Sequence, residues 1–229
     1  MRTRLVLASY VLASAAMPAA WAAGGAPMSM PSMSTPREQS PEDQAKSVYN
    51  DGVRDVRKAD RYDASATQLT DAKKKGKALG EAHDHYASSL TKFMQATSLD
   101  PNMHEAWNYV GYTNRKLGNY DVALAAYERA LALHPGYPEA LEYRGEAFLA
   151  LNRVSDAQQA YLDLFAVNRG LADRLLTTMR SWIDGQRTTA SGGTDATAVD
   201  ALDKWVQERV QIASQTAALT RQGAASSWR

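Results

Sequence analysis

Residues 104–137 read HEAWNYVGYTNRKLGNYDVALAAYERALALHPGY, and the reading of this stretch decides the fold. Apolar residues recur at helical spacing on both sides of Leu117-Gly118, which predicts two helices joined by a tight turn. Gly118 can take the left-handed conformation that ends a first helix, and Pro135 stops the second. The chain also repeats itself, since Asp100-Pro101 closes one helical segment and His134-Pro135 closes another 34 residues later.

Within the unit, Trp107, Val110, Gly111, Leu117, Gly118, Tyr120, Ala123, Tyr127, Ala130 and Pro135 follow in an order that resembles the tetratricopeptide repeat, TPR. Asn114 departs from the pattern, where an aromatic is usual. A second unit, 138–171, matches through Leu141, Gly145, Phe148, Leu151, Ala157 and Tyr161, with Arg169 in place of the closing proline. Upstream, Tyr86, Phe93, Ala96 and Pro101 supply the second helix of a degenerate repeat, 42–103. Its first helix is expected over Glu42–Ala59, and the polar stretch Asp63–Gly80 reads as an interrupting solvated loop. The resemblance implies an all-α solenoid of antiparallel helix hairpins over 42–171, in which each hairpin leaves an apolar face that only a neighbour can cover. Gly111 and Gly145 are expected where first helices of neighbouring hairpins approach, and Trp107, Tyr127 and Tyr161 as core wedges.

Such a stack needs a cap. Residues 172–185 offer one, with Leu175, Leu176, Met179, Trp182 and Ile183 on a stripe. A polar linker, 186–196, precedes a C-terminal helix, 197–222, whose apolar side includes Val199, Leu202, Trp205, Val206 and Val210. That helix is expected to dock back as a second cap; filling the groove or joining a second chain are the alternatives. At the other end, Arg2, Arg4, the apolar run Leu5–Ala16 and Ala20-Trp21-Ala22 read as a signal peptide, 1–22, cleaved before Ala23. The apolar run is shorter than the ~20 residues that span a bilayer. Export without stable membrane insertion, and a periplasmic location, are therefore expected. Residues 23–41 are a Gly, Pro, Ser and Met arm with little to seed a core.

Chemistry is restricted by what is missing. Lys plus Arg number 26 against 25 Asp plus Glu, so no one-sided field draws nucleic acid. There is no cysteine, which excludes disulfides, thiol nucleophiles and cysteine zinc sites. His104-Glu105 opens like a zinc-protease helix, but Asn108 stands where the second histidine belongs. Gly76-Lys77 fails as a phosphate loop because Asp71 and Ala78 occupy the positions of its first glycine and its hydroxyl. His83 and His85 lie on different sides of a helix. The reading is a non-catalytic protein without a cofactor. Met28, Met30 and Met33 keep one alternative open, a copper carrier using soft thioethers.

The resemblance implies that the first helices line a concave groove for a peptide or helix of another protein. Its positions here are Glu105, Asn108, Tyr112, Arg115 and Lys116 of one unit with Glu139, Glu142, Glu146 and Leu149 of the next. The family's clamp for an acidic C-terminus is absent, since Asn108 and Tyr112 replace its Lys and Asn, and Glu139 and Tyr143 its Lys and Arg. Arg115 and Lys116 beside Glu142 and Glu146 give both signs, so a segment of mixed charge is expected, anchored on Tyr112. An exported interaction scaffold or adaptor follows. The alternative is an accessory subunit of a cell-envelope assembly, for which exposed Trp182 or Trp205 would speak.

Overall fold

Ser40 starts the first helix, its side chain accepting a hydrogen bond from the Asp43 amide at 3.1 Å ahead of Pro41 at the first helical position. The computed structural model describes residues 40–188 and 196–226, which belong to one unit and contain helices without strands. In order these are α1 (Pro41–Gln68), α2 (Ala72–Leu99), α3 (His104–Lys116), α4 (Tyr120–Leu133), α5 (Pro138–Ala150), α6 (Val154–Val167), α7 (Arg169–Thr188) and α8 (Ala196–Ser226). Consecutive helices pair as antiparallel hairpins, and α2 packs on α3, α4 on α5 and α6 on α7. First helices also neighbour one another, α5 lying against both α3 and α7. The expected signal peptide, nearly all of the arm and most of the linker lie outside the described residues.

The repeat positions do the packing. Tyr127, Tyr161, Leu164, Leu175 and Met179 are buried, interleaved with Ala123, Ala130, Ala140 and Ala157. A Cβ on Gly111 would fall 2.4 Å from the Tyr127 ring, so glycine is needed for that ring to lie flat on α3. The contact is within one hairpin, not between first helices as expected. Gly145 does face the next first helix, where a Cβ would meet Leu175 at 2.7 Å. Trp107 is half-buried instead of a full core wedge, its indole N–H donating to the Pro101 carbonyl at 3.0 Å. Gly118 has the left-handed φ of 82°, and Asn152, one period later, takes φ 58° at the same turn.

The polar stretch is helix on both sides of a three-residue turn, 69–71, rather than one loop. Gly52 lies against Phe93 as Gly111 lies against Tyr127, but 41 residues separate the first pair and 16 the second. The 25 extra residues extend both α1 and α2 to 28 residues, against 13 and 14 in α3 and α4. Alanine, lysine and glutamine favour helix, and Asp71 caps α2 by accepting from the Lys74 amide at 2.8 Å. Inside the extension the seam is alanine: Ala59, Ala66, Ala78 and Ala82 are buried, while Lys73, Lys74, Lys75 and Lys77 are exposed.

The missing proline at 169 has a consequence. The α6–α7 turn shrinks to Asn168, whose side chain accepts from the Leu171 amide at 3.0 Å, and α7 begins at Arg169, earlier than the expected 172. Leu175, Leu176, Met179 and Ile183 are buried as the stripe predicts. Val199, Leu202 and Val206 of α8 are buried against them, and Trp205 meets Tyr161 edge-on at 5.3 Å. α7 and α8 thus close the stack as capping helices, arranged as a further hairpin.

Candidate partner-binding face

All six residues proposed from sequence sit on first helices, Asn108, Tyr112, Arg115 and Lys116 on α3 and Glu142 and Glu146 on α5. They are not equally available. Asn108, Glu142 and Leu149 are each 2% exposed, which corrects the expectation that they line an open surface. Glu142 accepts a two-pronged bond from Arg174 of α7, with both contacts at 2.8 Å. Burial pushes its carboxyl up and Arg174 pulls it back only in part. Asn108 Oδ1 is buried with no hydrogen-bond partner.

The charges between α3 and its neighbours are already paired. Arg115 meets Glu146 at 2.7 Å and lies 5.3 Å from the ring centres of both Tyr112 and Tyr143. Lys116 pairs with Asp63 of the extended α1. Tyr112 is a junction rather than a free anchor: its hydroxyl and that of Tyr86 donate to the same Asp60 oxygen at 2.7 and 2.6 Å. Burial raises the Tyr112 and Tyr86 phenols far above the ordinary range, and the hydrogen bonds to Asp60 add to it. Tyr127 is pushed up by burial beneath Arg115, which partly offsets the rise. Tyr143 is raised to about 12, again chiefly by burial.

The extension of α1 and α2 walls this end of the face. Asp63, Leu79 and His83 from the extension line, with Tyr86 of the repeat, Arg115 and Glu146, a cavity of about 430 Å³. None of the extension residues was expected to contribute. The signal was present, in the excess spacing from Gly52 to Phe93 over that from Gly111 to Tyr127. Among the described residues no group of three His, Asp or Glu is placed to hold a metal, and no helix is long and apolar enough to cross a membrane.

At the opposite end of α3 lies an aromatic cluster. Tyr109 stacks on Phe93 at 4.7 Å and meets Tyr49 of α1 edge-on at 5.6 Å. Tyr137, before α5, stands perpendicular to His104 at 4.8 Å, and His104 stacks on His134 at 4.7 Å. A separate groove of about 530 Å³ runs between α2 and α4, lined by Leu90, Met94, Trp107, Val122 and Ala126.

Residues 111–169 match the tetratricopeptide repeat family. Among solved structures the chain is similar to the first TPR of Spaghetti (RPAP3) bound to the HSP90 peptide SRMEEVD, at 19% identity over 55% of this chain and 94% of that one, TM-score 0.39. It is also similar to MamA, at 17% identity over 69% of this chain and 88% of that one, TM-score 0.45. The RS-1 MamA double mutant gives 18% identity over 74% and 97%, TM-score 0.39. No curated protein matches. With the repeat matched over 111–169 and successive helices paired as hairpins, the fold is an all-α, TPR-type solenoid with C-terminal capping helices.

Proposed function

We propose that this protein is an exported, non-catalytic interaction scaffold that holds a peptide or helix of another protein on the face formed by α1, α3 and α5. The observation that supports it is the band of half-buried tyrosines on successive first helices, Tyr49, Tyr109, Tyr112 and Tyr143, in a linked series of ring contacts. Aromatic side chains held by neighbours offer large contact area at small entropic cost. The mixed-charge expectation loses its basis, because the residues behind it pair with one another or with Asp63 and Arg174. Export and a periplasmic location rest on residues 1–22 and belong to this proposal. Trp182 and Trp205 are half-buried in the cap, so the feature that would favour an assembly subunit is not offered by these two.

Placing a photoreactive amino acid at Ala150, which is exposed at the cavity edge, tests the face without disturbing its pairs. A second placement at Leu162, 42% exposed on α6, reports the opposite side. Irradiation in the host's envelope should give a discrete adduct from Ala150 and none from Leu162. Adducts from Leu162 alone would overturn the face assignment. N-terminal sequencing of the envelope form should begin at Ala23, and an uncleaved chain in the cytosol would overturn export.

A further inference from the structure

Asp60 and Asp63 turn one side of α1 toward α3, where they meet Tyr112 and Lys116. At about 100° of helix per residue, Lys58, Arg61, Tyr62 and Ser65 fall on the side away from them. With His85 of α2 these four line a cavity of about 380 Å³. The cavity belongs to the extension and is separate from the first-helix face. Two cations, an imidazole, a phenol and a hydroxyl surround it, and no carboxylate lines it.

The positive charge here is not cancelled from outside. Arg61 is exposed and makes no ion pair or hydrogen bond among the described residues. Lys58 meets Asp55 at 3.2 Å, but that one carboxylate also holds Lys92 and the Ser88 hydroxyl. Asp55 is thus shared between two ammonium groups, and a net positive charge is left beside the cavity. Asp60 and Asp63 are taken up by α3, and Asp84 lies beside His83. Glu81 stands one helical turn before His85 without lining the cavity, and the exposed Arg57 stands one turn before Arg61.

The same cavity has a flat wall. The Tyr62 ring lies nearly parallel to the His85 imidazole, at 14° with centres 5.7 Å apart, and Tyr62 is 38% exposed. The buried seam of the extension is alanine, so this ring does not serve that packing. Ser65 donates its proton to the Tyr62 carbonyl at 2.8 Å, which leaves Lys58, Arg61 and His85 as the donors. Charged donors without a carboxylate among them match an oxyanion, and a guanidinium fork suits phosphate in particular. A phosphate monoester brings up to two charges to two cations, where a carboxylate brings one.

We infer that this cavity binds a phosphate monoester, its phosphate between Lys58 and Arg61 with His85 as a third donor, its organic part against the Tyr62 ring. The assignment does not depend on the first-helix face.

The test uses the full chain with ring-¹³C tyrosine and histidine, the Tyr62 and His85 signals being assigned by Tyr62→Phe and His85→Gln. The probes are phenyl phosphate, methyl phosphate, phenyltrimethylammonium, and phosphatidylcholine vesicles with and without phosphatidic acid. Phenyl phosphate should shift both signals and bind at least fivefold tighter than phenyltrimethylammonium and threefold tighter than methyl phosphate. Arg61→Gln should weaken it at least fivefold with an unchanged thermal midpoint, whereas Arg129→Gln, which removes an exposed cation of α4, should not. Capture by phosphatidic acid vesicles alone, lost in Arg61→Gln, would keep the site and place its phosphate on a lipid headgroup. No response to the esters or the vesicles, shifts confined to other rings, or vesicle capture that survives Arg61→Gln would overturn the site. So would equal losses in Arg61→Gln and Arg129→Gln, which would mean general attraction to charge. Equal binding of methyl and phenyl phosphate would overturn the part assigned to Tyr62.

Discussion

The α3/α4 hairpin and the α1/α2 hairpin share one packing device and differ in what surrounds it. Both seat an aromatic on a glycine, Tyr127 on Gly111 and Phe93 on Gly52. Beyond that pair, α3/α4 has only five more residues of α3 and seven of α4, whereas α1/α2 continues as two long helices that bury mostly alanine and are joined by polar contacts. Chief among these is Asp55, buried in α1, which accepts from Ser88 at 3.0 Å and pairs with Lys58 and Lys92. One hairpin is held by a large ring, the other in good part by a carboxylate and small side chains.

The largest expected effect lies on the ring side of this contrast. Tyr127→Ala removes a fully buried aromatic and leaves Gly111 facing a void, which should cost ~3–5 kcal/mol in urea unfolding. A loss below about 1 kcal/mol would mean that the glycine and ring are not what fixes the repeat.

Asp55→Asn tests the polar side. Burial alone would raise this carboxyl, but the hydrogen bonds from Lys92, Ser88 and Lys58 outweigh it and hold the value at about 2, against 3.8 for the free side chain. A carboxyl lowered on folding stabilises the native state above the unfolded value and loses that contribution as pH falls through the folded one. The variant should therefore be less stable than the natural chain by on the order of 2 kcal/mol at pH 7. That difference should shrink between pH 4 and pH 2, roughly the window set by the two pKa values. A pH-independent difference would show that the carboxylate pairs contribute little.

Ala78→Gly addresses the seam of the extension. It replaces a buried alanine in a helix by the most flexible residue, at a cost of ~1 kcal/mol. Because the neighbours there are small, the loss should be local: amide exchange should quicken over 61–86 and stay unchanged in α3 and α4. Faster exchange throughout would mean that the two hairpins unfold as one body.

The same contrast explains what was legible in the sequence. The 34-residue spacing, Gly118 and Pro135 announce the regular hairpins, because close packing and helix ends constrain residue type strongly. The extension gives no such signal, because a helical segment that buries only alanine shows almost no apolar stripe. At the face, the six residues proposed were placed on the right helices, but their availability was not legible. Asp60, Asp63 and Arg174 reach them from 32 to 53 residues away in the chain, and no local pattern encodes such pairs.

The smallest effect expected is at Glu142, and its sign is the informative part. The carboxylate is buried while its partner Arg174 is largely exposed, with a side-chain exposure of 62%. Removing the charge therefore releases a cation that water can solvate, and relieves a desolvated anion. Glu142→Gln should change stability by less than ~1 kcal/mol at pH 7. A carboxyl whose value is raised on folding favours the native state while protonated, and the natural chain gives up that advantage as pH rises through the folded value. The variant should thus gain relative to the natural chain as pH climbs from 4 to 8, measured by thermal midpoints at each pH. A variant that instead loses ground with rising pH would show that Arg174 more than repays the burial of Glu142, and that this pair belongs with Asp55 among the contacts that hold the stack together.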